Sequence, residues 1–157
     1  MVKEAKLFEL EAGYKFFKKS ISTLTESDSK FAPAEGLMTV AQQIAHVAQT
    51  FNWFIDGAFS GNGFNMDMEK LAIETNAFDS LEKAMAFFEK AYSDFHATIK
   101  SKTDQELLAP LEDKSIMGDA PCVSIVNGVL DHTAHHRGVL TVYARLTGKT
   151  PPMPYMD

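Results

Sequence analysis

Four long stretches of this chain place apolar residues at alternating spacings of three and four. Leu7, Leu10, Tyr14, Phe17, Ile21 and Leu24 form the first stripe, and Val40, Ile44, Val47, Phe51, Phe54 and Ile55 the second. Leu81, Met85, Phe88, Tyr92, Phe95 and Ile99 form the third, and Ile125, Val129, Val139, Tyr143 and Leu146 the fourth. That period puts each set on one helix face, and each face must be buried against another element. No segment shows the two-residue alternation of a strand. The prediction is an all-α fold, a four-helix bundle. Two of the connections look longer than an up-down hairpin requires, which leaves a crossover topology open.

The stops and starts support these segments. The first helix is expected over about Lys3 to Leu24, with Lys15, Lys18 and Lys19 on its solvated side. The second is expected to start with Thr39 as N-cap and to end near Phe59, before Gly61-Asn62-Gly63. The third carries a capping-box pattern at Asp79 and Glu82, and a second box at Thr103 and Glu106 predicts a short helical turn before Pro110. The fourth is expected from about Val123 to Thr147, with Gly148 as the C′ residue and Pro151-Pro152 preventing resumption. The segment holding Phe64, Met66, Met68, Leu71 and Ile73 is too apolar for a free loop and is expected to pack over the body of the fold. Gaps this short are not domain linkers, so residues 1–157 read as a single domain.

Composition removes several classes of function. The formal charge of -6, from 15 Lys+Arg against 21 Asp+Glu, gives no general attraction to phosphate backbones and argues against a nucleic-acid partner. The single cysteine, Cys122, excludes an internal disulfide framework. No apolar run approaches the roughly 18 residues of a membrane span, so no membrane partner is expected. The N-terminus lacks the apolar core of a signal peptide, and the chain reads as cytoplasmic. Twelve phenylalanines would suit a helix-face homodimer as well as a thick core. Chemistry is left to five histidines and the carboxylates.

Two of those histidines stand out. His132 and His136 lie one turn apart, about 40° around the axis, within the apolar stripe of the fourth helix. Imidazoles at i and i+4 can converge on one ion, though two hydrogen-bonded core histidines would show the same spacing. Thr133 follows His132, so the Glu that serves as general base in the metalloprotease pattern is missing. His46 lies about 160° from Ile44 on the second helix, on the same side as Thr50 and Trp53. It is either an exposed histidine or part of a second packed face that points into a site shared with the fourth helix.

The stretch TVAQQIAHVAQTFNWF, paired with DHTAHHRGVLTVYARLTGKTPPMPY, resembles the DinB (DNA-damage-inducible, DinB/YfiT-like) family. The carrying features are the lone His46 followed by Trp53, the HxxxHRG motif from His132 to Gly138, and the ARLTGKTPP ending from Ala144 to Pro152. The resemblance implies a four-helix bundle binding one divalent metal, nickel or zinc, through His46, His132 and His136. It further implies a small-molecule substrate and a thiol-dependent S-transferase of the bacillithiol, mycothiol or glutathione type. A metal-dependent hydrolase and a non-catalytic metal-binding or sensor bundle are the alternatives. Three neutral ligands would leave such an ion its full charge and open coordination positions. No motif assigns a separate general base.

The remaining candidates have plainer expectations. His135 and Asp131 read as exposed, Arg137 as a structural ion-pair partner, and mid-helix Gly138 as a site of close helix packing. His96 reads as a surface or locally satisfied residue, and Cys122 as a small buried one. Met38, Met66, Met68 and Met117 fall in connections or at their edges and read first as core filling, with an adaptable apolar pocket above the metal as the alternative.

Overall fold

In the computed structural model, which describes residues 1–156, every long helix arises where the apolar period is sustained. The long helices are α1 (Val2–Ile21) and α2 (Val40–Phe59), then α4 (Leu81–Ser101) and α6 (Ser124–Leu146). Two short ones, α3 (Met68–Asn76) and α5 (Asp104–Leu108), sit in the connections, and a 3-10 turn covers Glu26–Asp28. No strand occurs among the described residues, so the fold is all-α. No described helix is long and apolar enough to cross a membrane.

The boundaries follow local chemistry. At Thr39 the hydroxyl accepts from the Gln42 backbone N–H at 3.3 Å, and the Thr39 N–H donates to the Gln42 carboxamide at 2.8 Å. Thr103 and Glu106 form the expected box at the start of α5. The Asp79–Glu82 box is not formed. Ser80 is the N-cap of α4 and accepts from the Lys83 N–H at 3.3 Å. The N–H of Leu81 donates to the Ser29 hydroxyl at 2.8 Å, and that of Glu82 to the Glu26 carboxylate at 2.9 Å. The first connection therefore supplies acceptors that the sequence pattern had assigned to Asp79, which instead meets Lys30 at 3.6 Å on the surface. Helix α1 stops at Ile21 rather than Leu24, although Leu24 remains buried.

Helix α2 packs against both α4 and α6, and α1 packs against the same two helices. Around the bundle the order is therefore α1, α4, α2, α6. The α1–α2 and α4–α6 connections each cross a diagonal, while the connection with α3 joins neighbours. This is the crossover arrangement that the connection lengths left open. Phenylalanines fill the centre, with the rings of Phe17 and Phe88 4.7 Å apart and those of Phe51 and Phe95 5.3 Å apart.

Two expectations about the core are corrected. Leu146 is 59% exposed, and Leu140 is fully buried in its stead. Leu146 lies about 120° around the axis from Leu140, off the row that runs through Ile125, Val129, His136 and Tyr143. Met66 and Met68 are half exposed rather than core, whereas Met117 does pack on the core. Met66 and Met68 stand at the start of α3, which is fastened over α2 by side-chain amides. Gln49 donates to the Leu71 carbonyl at 2.9 Å and accepts from the Thr75 hydroxyl at 2.9 Å, and Gln42 donates to the Asn76 carbonyl at 3.1 Å.

At the other end Gly148, at φ +80°, closes α6 as expected. Lys149 then turns back to pair with the buried Asp28 carboxylate.

Candidate metal centre

The face of α2 opposite Ile44 is not solvated. Gln42, His46, Gln49 and Trp53 lie there, and all four are half-buried, because α3 and α6 pack over this side of α2. His132 and His136 approach it from α6. The Nε2 atoms of His132 and His46 are 3.1 Å apart, as are those of His136 and His132. One nitrogen from each of the three rings lies within 4.8 Å of the others, a grouping that could hold a metal ion.

His136 is oriented by Gln43. Its Nδ1–H donates to the Gln43 carboxamide oxygen, and both side chains are buried. An amide oxygen only accepts, so the proton is on Nδ1 and the Nε2 lone pair faces the other two rings. Thr50 donates its hydroxyl to the His46 carbonyl at 3.0 Å, and the same oxygen lies 3.5 Å from His132 Nε2. The buried His132 Nδ1 has no hydrogen-bond partner among the described residues.

The electrostatics keep the rings neutral. Burial pushes His132 down to about 4, with the positive charge that His46 and His135 would carry adding to the effect. Burial lowers His136 to about 3, with His132 the next cause. His46 is also lowered by burial, with a smaller opposing contribution from Gln49. Neutral imidazoles are the form that donates a lone pair to a metal. The site therefore fits the ion implied by its donors: one ring nitrogen from each of three neutral imidazoles faces the other two.

The other candidates lie outside this cluster. His135 is exposed, its ring meeting His136 edge-on at 5.0 Å, and Asp131 is also exposed. His96 is satisfied across helices by Glu11 at 3.1 Å. Arg137 is not an ion-pair partner among the described residues. It donates to the Tyr155 hydroxyl at 2.8 Å and stacks its guanidinium over Tyr155 and Phe16. Gly138 makes no close helix contact, since a Cβ there would meet nothing within 4 Å. The glycine that does is Gly128, where a Cβ would lie 2.6 Å from Phe54 Cζ. Cys122 is buried, and burial raises its thiol, which leaves it unsuited as a nucleophile.

A cavity of about 850 Å³ opens over the histidines. His46 and His132 reach its wall beside Thr50, and Trp53, Phe54, Met38 and Leu71 supply apolar surface. Sequence reasoning does not single out Gln43. Its one signal is an amide three residues before His46, one turn away on the same helix, and the adjacent Gln42 carries the same side chain.

The model of the DinB family matches residues 11–157. No curated protein matches the chain significantly. Among solved structures, a DinB-like protein from Bacillus cereus superposes with a TM-score of 0.75 at 20% identity, covering 95% of each chain. YfiT from Bacillus subtilis, described as a probable metal-dependent hydrolase with an unusual four-helix bundle topology, gives 0.71 at 16% identity, over 94% of this chain and 89% of its own. A protein from Streptococcus pneumoniae gives 0.67 at 18% identity, over 93% and 90%. Identities this low carry the fold alone.

Proposed function

This chain belongs to the DinB family, and from that premise we propose that it is a divalent-metal-dependent enzyme acting on a small molecule. His46, His132 and His136 are its ligands, and transfer of a low-molecular-weight thiol to an electrophile is its reaction. The observation that carries the reading is the convergence of three neutral imidazole nitrogens beside an 850 Å³ cavity.

A nickel or zinc ion held there would act as a Lewis acid that lowers the pKa of a bound thiol or water. The chain's own residues do the rest. Gln43 keeps the proton on His136 Nδ1 and so aims Nε2 at the site. Thr50 anchors the His46 turn of α2 through its backbone carbonyl. Trp53, Phe54 and Leu71 exclude water from one side of the cavity. The buried, elevated Cys122 thiol supports a thiol that arrives as a co-substrate.

Metal-dependent hydrolysis is the second reading, favoured by the description given to YfiT. A metal-binding bundle without turnover would use the same ligands.

Metal analysis of untagged protein separates these outcomes when compared with His132→Ala. Stoichiometric divalent metal in the native chain, lost in the variant, is expected. Its absence after reconstitution would sink the enzyme reading. With metal bound, consumption of several thiols in the presence of a model electrophile distinguishes transferase from hydrolase.

A further inference from the structure

We infer that the face of α6 turned away from the histidines carries a second small-molecule site. It takes a free amphipathic carboxylate, with the apolar chain lying between α1 and α6 and the anionic head at Arg137 and Arg145.

An apolar groove of about 510 Å³ runs between the two helices, lined by Phe8, Ala12, Phe16, Leu130 and Ala134. The helices meet tightly beneath it, since a Cβ on Gly13 would lie 2.4 Å from Leu130 Cδ2. Phe8 is left 73% exposed at its side. At Ala134, Arg137 and Tyr155 the groove continues into a hollow of about 460 Å³, walled on its far side by Pro151 to Tyr155. Ala134 lines both spaces and lies about 160° around the α6 axis from both His132 and His136. The site is therefore across the helix from the metal centre.

The hollow is cationic. Arg137 and Arg145 both line it, and no carboxylate does among the described residues. Their hydrogen bonds go to neutral oxygens, from Arg137 to the Tyr155 hydroxyl at 2.8 Å and from Arg145 to the Thr141 carbonyl at 3.0 Å. A guanidinium carries five N–H donors, so most of each fork remains for an anion, and its planar geometry suits a carboxylate. Ser20, only 1% exposed, adds a hydroxyl to the same wall. The one acid of the groove, Glu9, pairs with Lys6 at 2.7 Å. Lys6 also reaches Asn127 at 2.9 Å, which puts that pair at the end away from Arg137.

A clasp for the chain's last residues needs Arg137 alone, stacked on Phe16 and Tyr155. It does not account for a second cation facing the same hollow, or for the hollow opening onto an apolar groove. An amphipathic anion accounts for both. Leu130 and Arg137 are seven residues apart, about 10 Å along the axis, so a chain of medium length reaches from one to the other. Burial of that chain supplies the affinity, and the arginines supply the sign. The net charge of -6 opposes adsorption to an anionic membrane and favours a free ligand.

A metal held by the histidines is a rival cation for any carboxylate, so the test must resolve the two sites. The zinc-loaded full chain is titrated with octanoate, 1-octanol and octylamine, and amide shifts are followed by NMR. Gly13, Ala134 and Gly138 report on this face. The indole N–H of Trp53 reports on the cavity over the histidines. Saturable shifts at the first three are expected, with octanoate about fivefold tighter than octanol and octylamine weaker than octanol. His132→Ala should bind octanoate at this face unchanged, whether or not the wild-type chain holds metal.

Arg145→Gln should cut the carboxylate's advantage to about twofold and leave octanol alone, and Arg137→Gln with Arg145→Gln should abolish it. If the double variant loses its fold, Arg145→Gln alone decides. Octanoate shifts confined to Trp53, an octanoate preference that survives Arg145→Gln in full, or no saturable binding at this face would each overturn the inference. So would concentration-dependent shifts of the same three residues without ligand, which would mean that a second copy of the chain covers the groove.

Discussion

Gln43 is uncharged, yet it fixes which nitrogen of His136 faces the site. Replacing it with Leu keeps the volume roughly constant but leaves a buried Nδ1–H with nothing to accept it. Supporting partners of this kind typically govern metal affinity by about 10- to 100-fold, and an unsatisfied buried donor costs about 1–3 kcal/mol. Gln43→Leu should therefore weaken metal binding by about that factor, measured by competition with a chromophoric chelator, and should lower the unfolding free energy. Unchanged affinity would mean that Gln43 only packs. His46, His132 and His136 were legible because imidazoles at helical spacing in apolar stripes are conspicuous, and because the motif around them resembles a family pattern. Gln43 was not, because an amide acquires this role only once α2 and α6 are in contact. Arg137 misled for a related reason: its partners, Phe16 and Tyr155, come from the far ends of the chain.

Within the helices, two glycines of α6 make a matched pair. Gly138 is exposed in mid-helix, with nothing within 4 Å of the place a methyl group would occupy. Gly138→Ala should thus stabilise the protein by about 0.5–1 kcal/mol, because alanine is the better helix former and has less freedom to lose. Gly128→Ala should do the reverse, costing about 1–3 kcal/mol, since the new methyl must displace the nearly buried Phe54 ring. Urea denaturation of both variants checks the pair, and equal effects would refute the packing assignment. At the start of α4, Ser80→Ala should cost about 1 kcal/mol and Asp79→Ala under about 0.5 kcal/mol, because Ser80 is the cap and Asp79 a surface partner of Lys30. The four long helices were readable because each sustains its period for about five turns. Helix α3, at nine residues, is too short for periodicity to declare, and side chains of α2 hold it in place. The capping register slipped by one residue because the acceptors for Leu81 and Glu82 come from another segment, some fifty residues earlier.

For the whole molecule, the ring order α1, α4, α2, α6 sets two demands at once. It joins α2 to α6, which assembles the three histidines, and it buries groups whose protonation the fold opposes. Connection lengths left this order open, because a long loop can cross a diagonal or carry a short helix, and this chain does both. The consequence is a pH dependence with a definite sign. In the metal-free protein burial holds His132 down to about 4 and His136 down to about 3, from the ordinary 6.5. Between those values the unfolded chain binds protons that the folded chain refuses, so stability is complete above about pH 6.5 and declines as the pH falls towards 4. The two rings are adjacent and do not add in full, so the loss should total roughly 2–4 kcal/mol. Asp28 contributes in a separate, more acidic window. Burial opposes its ionisation, but Lys149 and the Thr25 N–H outweigh that and hold its pKa below 3.8, so its stabilisation is lost only below that value. Metal adds a term of its own: at 100 times its dissociation constant it should raise stability by about 2.7 kcal/mol at neutral pH. Protons compete for the same nitrogens only near their folded-state pKa values, so that increment should persist towards about pH 4 and fall away below it. Urea unfolding from pH 7.5 to 4.5, with and without the ion, measures both terms. The doubly substituted His132→Ala, His136→Ala chain should lose the metal increment and most of the slope above pH 4.5. A metal-free stability that stays flat across this range would mean that the rings take up protons without leaving the core. The neutral nitrogen cluster on which the metal centre depends would then not be what the fold maintains.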